Sequence, residues 1–189
     1  LTTEGEVVCW GIDGTETPIL GGYTFTDIEA GHSAICGIET TSSSVLCWNY
    51  LGNPVGNNYH QIVPGTIGDF TSITVGKQYV CAVSISGELF CKDMNLNTAP
   101  ILQPQTNVVQ VDIGVTMYTY GHRCILFDAG NVDCIIGGNN APPHMAAINS
   151  PSGIQFTSIA AGYKFTCGIE TTTQLVHCWG DNGFGVLTT

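Results

Sequence analysis

Positive charge is nearly missing from this chain: four Lys and Arg stand against fifteen Asp and Glu in 189 residues, a formal net charge of −11 at neutral pH. A surface of that sign repels phosphate backbones and anionic headgroups, so nucleic acid is an improbable partner. Charge of either sign is scarce, at 10% of residues. Thr, Ser, Asn, Gly and Gln must therefore cover the surface, as in secreted all-β proteins, and the helix-forming Lys and Arg are almost absent. No apolar run approaches a membrane span, so no direct membrane insertion is expected of this segment. No basic stretch followed by an apolar one opens the sequence, and a signal peptide is expected to be removed or to lie upstream. Asn-x-Ser/Thr acceptors are lacking too, because Asn149-Ser150 runs into Pro151. N-linked glycans are not expected, while the many Thr and Ser residues leave O-linked glycans open.

Chemistry-bearing motifs are equally scarce. Gly-x-Ser-x-Gly, a phosphate-cradling loop and a dinucleotide fingerprint do not occur. The five histidines, His32, His60, His122, His144 and His177, share no spacing that would bring two imidazoles onto one metal, and they read as surface or turn residues. Glu29, Glu39, Asp128, Asp133, Glu170 and Asp181 fall mainly beside turns, where a carboxylate stabilises the bend. Asp181-Asn182-Gly183 lacks the remaining ligand positions of a calcium loop. The expectation is of no catalytic residue, no metal site, no cofactor and no enzyme activity.

Cysteine is what the chain has in quantity. Eight of nine fall into pairs spaced alike: Cys36 and Cys47, Cys81 and Cys91, Cys124 and Cys134, Cys167 and Cys178. The pairs recur about every 44 residues, the mark of a repeat array. Phe25-Thr26-Asp27-Ile28-Glu29-Ala30-Gly31, Phe70-Thr71-Ser72-Ile73-Thr74-Val75-Gly76 and Phe156-Thr157-Ser158-Ile159-Ala160-Ala161-Gly162 each lead to a cysteine five residues on. Each pair suits a hairpin in which the cysteines face one another. Ile169 then opposes Val176, Val83 opposes Leu89 and Leu126 opposes Val132, on the same face as the disulfide. Ser86-Gly87 and Ala129-Gly130 supply the glycine of a tight bend. A zinc site would need four convergent ligands, whereas these come two per hairpin; disulfides are expected, and with them an oxidising, extracellular address.

Short strands, Gly-rich turns and this period leave a β-propeller, a β-solenoid or a string of tiny domains. The stapled hairpin argues against a solenoid coil, and the expected fold is an all-β propeller. Residues 1–189 are read as one repeat domain: a partial blade at 1–22 and complete blades at 23–69, 70–107, 108–155 and 156–189. Cys9-Trp10-Gly11 matches the end of a unit, Cys178-Trp179-Gly180. The partner of Cys9 would come from a preceding segment, from the distal end of the ring or from another subunit.

The pattern Phe-x-x-Ile-x-x-Gly, Cys-Gly-Ile and Cys-Trp-Gly-Asp-Asn-Gly-Phe-Gly-Val-Leu over residues 156 to 187 resembles the repeat of the regulator of chromosome condensation family. Paired cysteines with Cys-Trp at the second one resemble its secreted branch, best known from the ectodomains of crinkly-type receptor kinases. The resemblance implies a propeller. Acidic charge and cysteines argue against carrying over exchange-factor activity or nucleosome binding, and no Trp-Asp pair supports a WD-repeat reading.

In the third unit ten residues, not five, separate Gly114 from Cys124. The insertion yields a candidate contact loop of Met117, Tyr118, Tyr120, His122 and Arg123, a composition enriched at interfaces or used to fill gaps between blades. An incomplete first blade and no closing strand after Trp179 leave an open heterologous face, the kind that builds filaments. The functional expectation is a non-enzymatic extracellular structural or interaction module, a building block of an assembly or filament that binds a protein partner or itself. The alternative is the ligand- or protein-binding ectodomain of a cell-surface receptor.

Overall fold

The computed structural model describes residues 1–10, 16–19, 22–32, 34–48, 61–63, 69–77, 79–94, 101–103, 105–114, 121–136, 149–182 and 187. No helix occurs among them. Sixteen strands among the described residues form five antiparallel sheets. The first pairs β1 (Val7–Trp10) with β2 (Glu16–Ile19). The second runs β3 (Phe25–Ala30), β4 (Ile35–Glu39), β5 (Val45–Trp48), β6 (Gln61–Val63). The third runs β7 (Phe70–Val75), β8 (Tyr79–Ser84), β9 (Leu89–Asp93), β10 (Ile101–Leu102). The fourth holds β11 (Val108–Gly114), β12 (His122–Phe127) and β13 (Val132–Ile136); the fifth holds β14 (Phe156–Ala161), β15 (Phe165–Glu170) and β16 (Val176–Gly180). The four larger sheets resemble propeller blades. The leading strands β3, β7, β11 and β14 pack side by side in that order.

The repeat Phe-Thr-x-Ile follows from one backbone feature. All four leading strands bulge after their first residue, with register shifts at Phe25/Asp27, Phe70/Ser72, Val108/Gln110 and Phe156/Ser158. In a regular strand residues three apart face opposite sides; the extra residue of a bulge returns them to the same side. Phe70 with Ile73, Val108 with Val111 and Phe156 with Ile159 are accordingly all buried. The bulge disturbs the ladder, and the Thr that follows compensates: Thr26, Thr71 and Thr157 donate their hydroxyls to the carbonyls of Ile38, Val83 and Ile169 at 3.3–3.4 Å. In the fourth sheet Val109 stands there, without a hydroxyl and exposed.

The glycines closing β3, β7 and β11 allow neighbouring blades to approach. A Cβ on Gly31 would lie 2.6 Å from the Val75 carbonyl oxygen, and one on Gly114 2.4 Å from that of Gly162. Hairpin glycines tie blades together too. Gly87 and Gly130, at φ of 77° and 82°, accept hydrogen bonds through their carbonyls from Val108 N and Phe156 N of the next blade at 3.0 and 2.8 Å. Gly5, at φ 81°, does the same for Phe25 N at 2.8 Å.

Disulfides join Cys36 to Cys47, Cys81 to Cys91, Cys124 to Cys134 and Cys167 to Cys178, with S–S distances of 2.01–2.07 Å. The cysteines are directly paired across their hairpins, as are Ile38 with Val45, Val83 with Leu89, Leu126 with Val132 and Ile169 with Val176. The core consists of layers between blades. One holds Cys36, Ile38, Val45 and Cys47 against Phe70, Ile73 and Phe90; another holds Cys124 and Leu126 against Phe156, Ile159 and Trp179. Cys9 is a free thiol packed against the layer of Val7, Phe25, Leu46 and Trp48, and that burial pushes its pKa up.

Candidate functional site

Three places on this frame gather groups capable of recognition. The first is the polar register of the leading strands. Asp112 on β11 reaches both neighbours: Oδ1 accepts from Thr74 Oγ1 at 3.1 Å and from the adjacent Ile113 N at 2.8 Å, and Oδ2 accepts from Ala161 N at 2.8 Å. Gln110 binds β14 as a strand edge would, donating Nε2 to Ile159 O at 2.8 Å and accepting at Oε1 from Ile159 N at 3.0 Å. Both side chains are consumed in stitching blades together. Asp27 and Glu29 lie on β3; partial burial raises both carboxyl pKa values, and for Glu29 the charges of Asp112 and Asp27 add to the rise. No metal-binding cluster is found among the described residues. Sequence reasoning named Glu29 but missed Asp27, Gln110 and Asp112. The available signal was positional, since they occupy the third or fifth place of the leading-strand repeat.

The second place is the expected contact loop. Met117, Tyr118 and Tyr120 lie outside the described residues. His122 and Arg123 are not loop residues: both belong to β12, because the strand starts two residues before its cysteine, as β8 and β15 do. His122 is fully buried, not a surface or turn residue, with Nε2 2.9 Å from Thr166 Oγ1 in the next blade and, among the described residues, no hydrogen-bond partner at Nδ1. Half-buried Arg123 points at the preceding blade, with one guanidinium nitrogen 3.0 Å from Cys91 Sγ and the other 3.4 Å from Gln103 Oε1. These are packing roles.

Burial lowers the His122 pKa, against the opposing pull of the Phe165 carbonyl on β15 and of Asp112 on β11. The unfolded chain takes up this proton near the ordinary imidazole value of about 6.5, whereas the folded chain resists it. The contribution of neutral His122 is therefore complete above that pH and is lost as pH falls towards the lower folded value. His122→Gln should lower the melting temperature at pH 7.5, and by less at pH 5, so that its melting temperature changes less unfavourably than the wild type's over this range. An unchanged slope would contradict this assignment. Glu39 behaves differently. Burial pushes its carboxyl up, but bonds from the side chains and backbone of Ser42 and Thr41 outweigh burial and hold the pKa at about 2. It is the anchor of its hairpin turn.

The third place is the outward face of the last sheet. Ile38 with Val45 and Val83 with Leu89 are at most 3% exposed, because the following blade covers them. Ile169 and Val176, the same pair in the fifth sheet, are 37% and 65% exposed, and Leu175 beside them is 60% exposed. Among the described residues nothing covers this apolar pair as the next blade covers its equivalents. At the other end, Trp10 is 73% exposed, although its equivalents Trp48 and Trp179 are 0% and 6% exposed. Those two pack against Phe25 and Phe156 of their own blades, with ring centroids 5.3 and 5.2 Å apart; among the described residues the first sheet holds β1 and β2.

Comparison with known proteins agrees with the fold. Residues 156–186 match the Regulator of chromosome condensation (RCC1) repeat. The chain is 25% identical over 185 residues to the serine/threonine-protein kinase-like protein CCR2 of Arabidopsis thaliana, covering 93% of this chain and 19% of that protein. Its structure is similar to the entire ectodomain of receptor kinase CR4 from Physcomitrella patens, with TM-score 0.66, 18% identity, and coverage of 94% of this chain and 50% of that one. It is also similar to yeast RCC1 (Prp20), solved bound to Kap60, with TM-score 0.63, 16% identity and coverage of 94% and 52%. The chain therefore spans about half the length of these propellers and about a fifth of the curated relative. It is a disulfide-bonded propeller array.

Proposed function

We propose that this chain is a non-catalytic extracellular protein-interaction module, a building block of an assembly joined through its blade faces. The observation that carries this reading is the uncovered apolar pair Ile169 and Val176, on a face that the chain itself buries in its preceding blades. Solvent-exposed apolar patches rimmed by polar groups mark interaction surfaces. Here the rim is supplied by Glu170 with His177, 3.0 Å apart, and by Lys164 with Asp181, 3.7 Å apart. Four disulfides and the likeness to receptor ectodomains support the extracellular address.

Ile169→Lys with Val176→Glu should abolish association with the partner while leaving the melting temperature within about 2 °C, since Val176 is mostly and Ile169 partly exposed. Sedimentation velocity and a thermal melt on the same sample check both halves. Unchanged association in a folded double variant would sink the reading. The alternative, a cell-surface receptor ectodomain, is favoured by the likeness to a kinase-like protein and places ligand binding on the same blades.

A further inference from the structure

We propose that the Cys81–Cys91 bridge is a site of thiol–disulfide exchange, reducible by a dithiol, with the Arg123 guanidinium as the counter-ion that receives a Cys91 thiolate. The bridge joins β8 to β9 in the third sheet, and Arg123 reaches it from β12 of the next one. One guanidinium nitrogen lies 3.0 Å from Cys91 Sγ and 3.9 Å from Cys81 Sγ, and the other donates to Gln103 Oε1 at 3.4 Å. Nε is buried and has no hydrogen-bond partner among the described residues. A guanidinium stays charged in a protein, whereas an amide oxygen is neutral and a disulfide sulfur accepts only weakly. The cation is therefore poorly matched in the oxidised form: burial lowers its pKa, and the charge of Asp133 on β13 opposes that effect. A thiolate at Cys91 supplies the missing counter-charge. Other bridges have different surroundings. Cys36 and Cys47 sit in an apolar layer with Ile38, Val45 and Phe70, and Cys124 Sγ lies 3.2 Å from the neutral hydroxyl of Thr166.

In the exchange, one thiol of the dithiol attacks Cys81 Sγ, the bond between the two cysteines breaks, and Cys91 Sγ leaves with the electron pair beside Arg123. The second thiol then closes the reductant's own disulfide and releases Cys81. Two electrons pass to the bridge; of the two dithiol protons, one ends on Cys81 and one goes to solvent, because Cys91 stays ionised. Cys81 and Cys91 are 0% and 5% exposed, so exchange passes through opened molecules, and Arg123 acts on the equilibrium rather than on access. Neighbouring charges do not cancel the guanidinium. Asp93 lies two residues beyond Cys91 on β9, roughly 7 Å along the strand, against 3.0 Å for the guanidinium nitrogen. Lys92, between them, starts from the opposite face of the strand. Asp112 on β11 is held by Thr74 and Ala161. Besides Cys81, the titratable side chain on β8 is the exposed Tyr79, and β7 and β10 carry none. Opening this bridge removes one staple and leaves three.

The test equilibrates the full oxidised chain, as wild type and as Arg123→Met, with a fixed ratio of reduced to oxidised dithiothreitol at about pH 6, 7 and 8. Thiols are trapped with an isotope-coded maleimide and each cysteine is read by mass spectrometry. With a dithiol reductant, a bridge that yields two thiols responds little to pH, whereas release of one proton raises its reduced-to-oxidised ratio by up to about tenfold per pH unit. In the wild type the ratio for Cys81–Cys91 should rise about tenfold or more from pH 6 to pH 8, while that for Cys124–Cys134 stays within about twofold. In Arg123→Met the Cys81–Cys91 ratio at pH 7 should fall about tenfold and lose its pH dependence. A lost packing contact alone would shift the ratio equally at every pH, so the slope separates charge from packing. A wild-type Cys81–Cys91 ratio as flat as that of Cys124–Cys134 overturns the proposal, whether or not the variant folds. A slope that survives in Arg123→Met overturns it too.

Discussion

Once its disulfides are reduced, this protein should lose its cooperative unfolding transition at 25 °C. The bridges span sequence separations of 10 or 11 residues, and closing a loop of that size removes chain entropy worth about 2.8 kcal/mol each, or about 11 kcal/mol for four. Domains are stable by only about 5–15 kcal/mol in total. The sulfurs of Cys36, Cys47, Cys81 and Cys124 belong to fully buried residues, so reductant acting on the folded chain at neutral pH should work slowly and mainly through opened molecules. Circular dichroism after reduction in denaturant and dilution should show no sigmoidal transition. Removing one bridge, as in Cys81→Ser with Cys91→Ser, should lower the melting temperature by roughly 6–11 °C. A reduced chain that kept its full transition would show that the blade layers suffice without staples.

Two identical Cys-Trp dipeptides should differ widely in their response to mutation. Trp48→Ala should cost about 3–5 kcal/mol, because it empties a fully enclosed site and deletes a large apolar surface. Trp48 packs with Val7, Phe25 and Leu46, and Gly37 makes room beneath, since a Cβ there would lie 2.5 Å from the Phe25 ring. Trp10→Ala should change stability by less than about 0.5 kcal/mol, as that ring already stands in solvent. Urea denaturation of both variants checks the contrast. Equal losses would mean that Trp10 is packed in solution.

Much of this was legible in the sequence, for identifiable reasons. Cysteine spacing fixes hairpin register once the two sulfurs must meet, and that alone places Ile169 opposite Val176 and Val83 opposite Leu89. The bulge was not foreseen, although Phe-x-x-Ile carries it: two buried residues three apart in a strand require an extra residue between them. His122 and Arg123 were misplaced because an insertion of five residues was read as extending to the cysteine, whereas strand pairing claims the two positions before it. Gln110 and Asp112 were invisible as a pair because their partners, on β7 and β14, are 38 to 49 residues away. An open face was expected from the incomplete first blade, whereas the residues exposed, Ile169 and Trp10, are told from their buried equivalents in neighbouring blades by the order of the sheets.

The central claim is that the last blade ends in a face made to be covered, and carbene footprinting of Ile169 and Val176 tests it most directly. In dilute, monomeric protein both residues should be labelled strongly, at levels far above their buried counterparts Ile38 and Val45. In the associated state both should fall to the level of those counterparts, while exposed Ile85, on a hairpin turn away from the blade face, stays labelled. Labelling of Ile169 and Val176 that is equal in the two states would contradict the account.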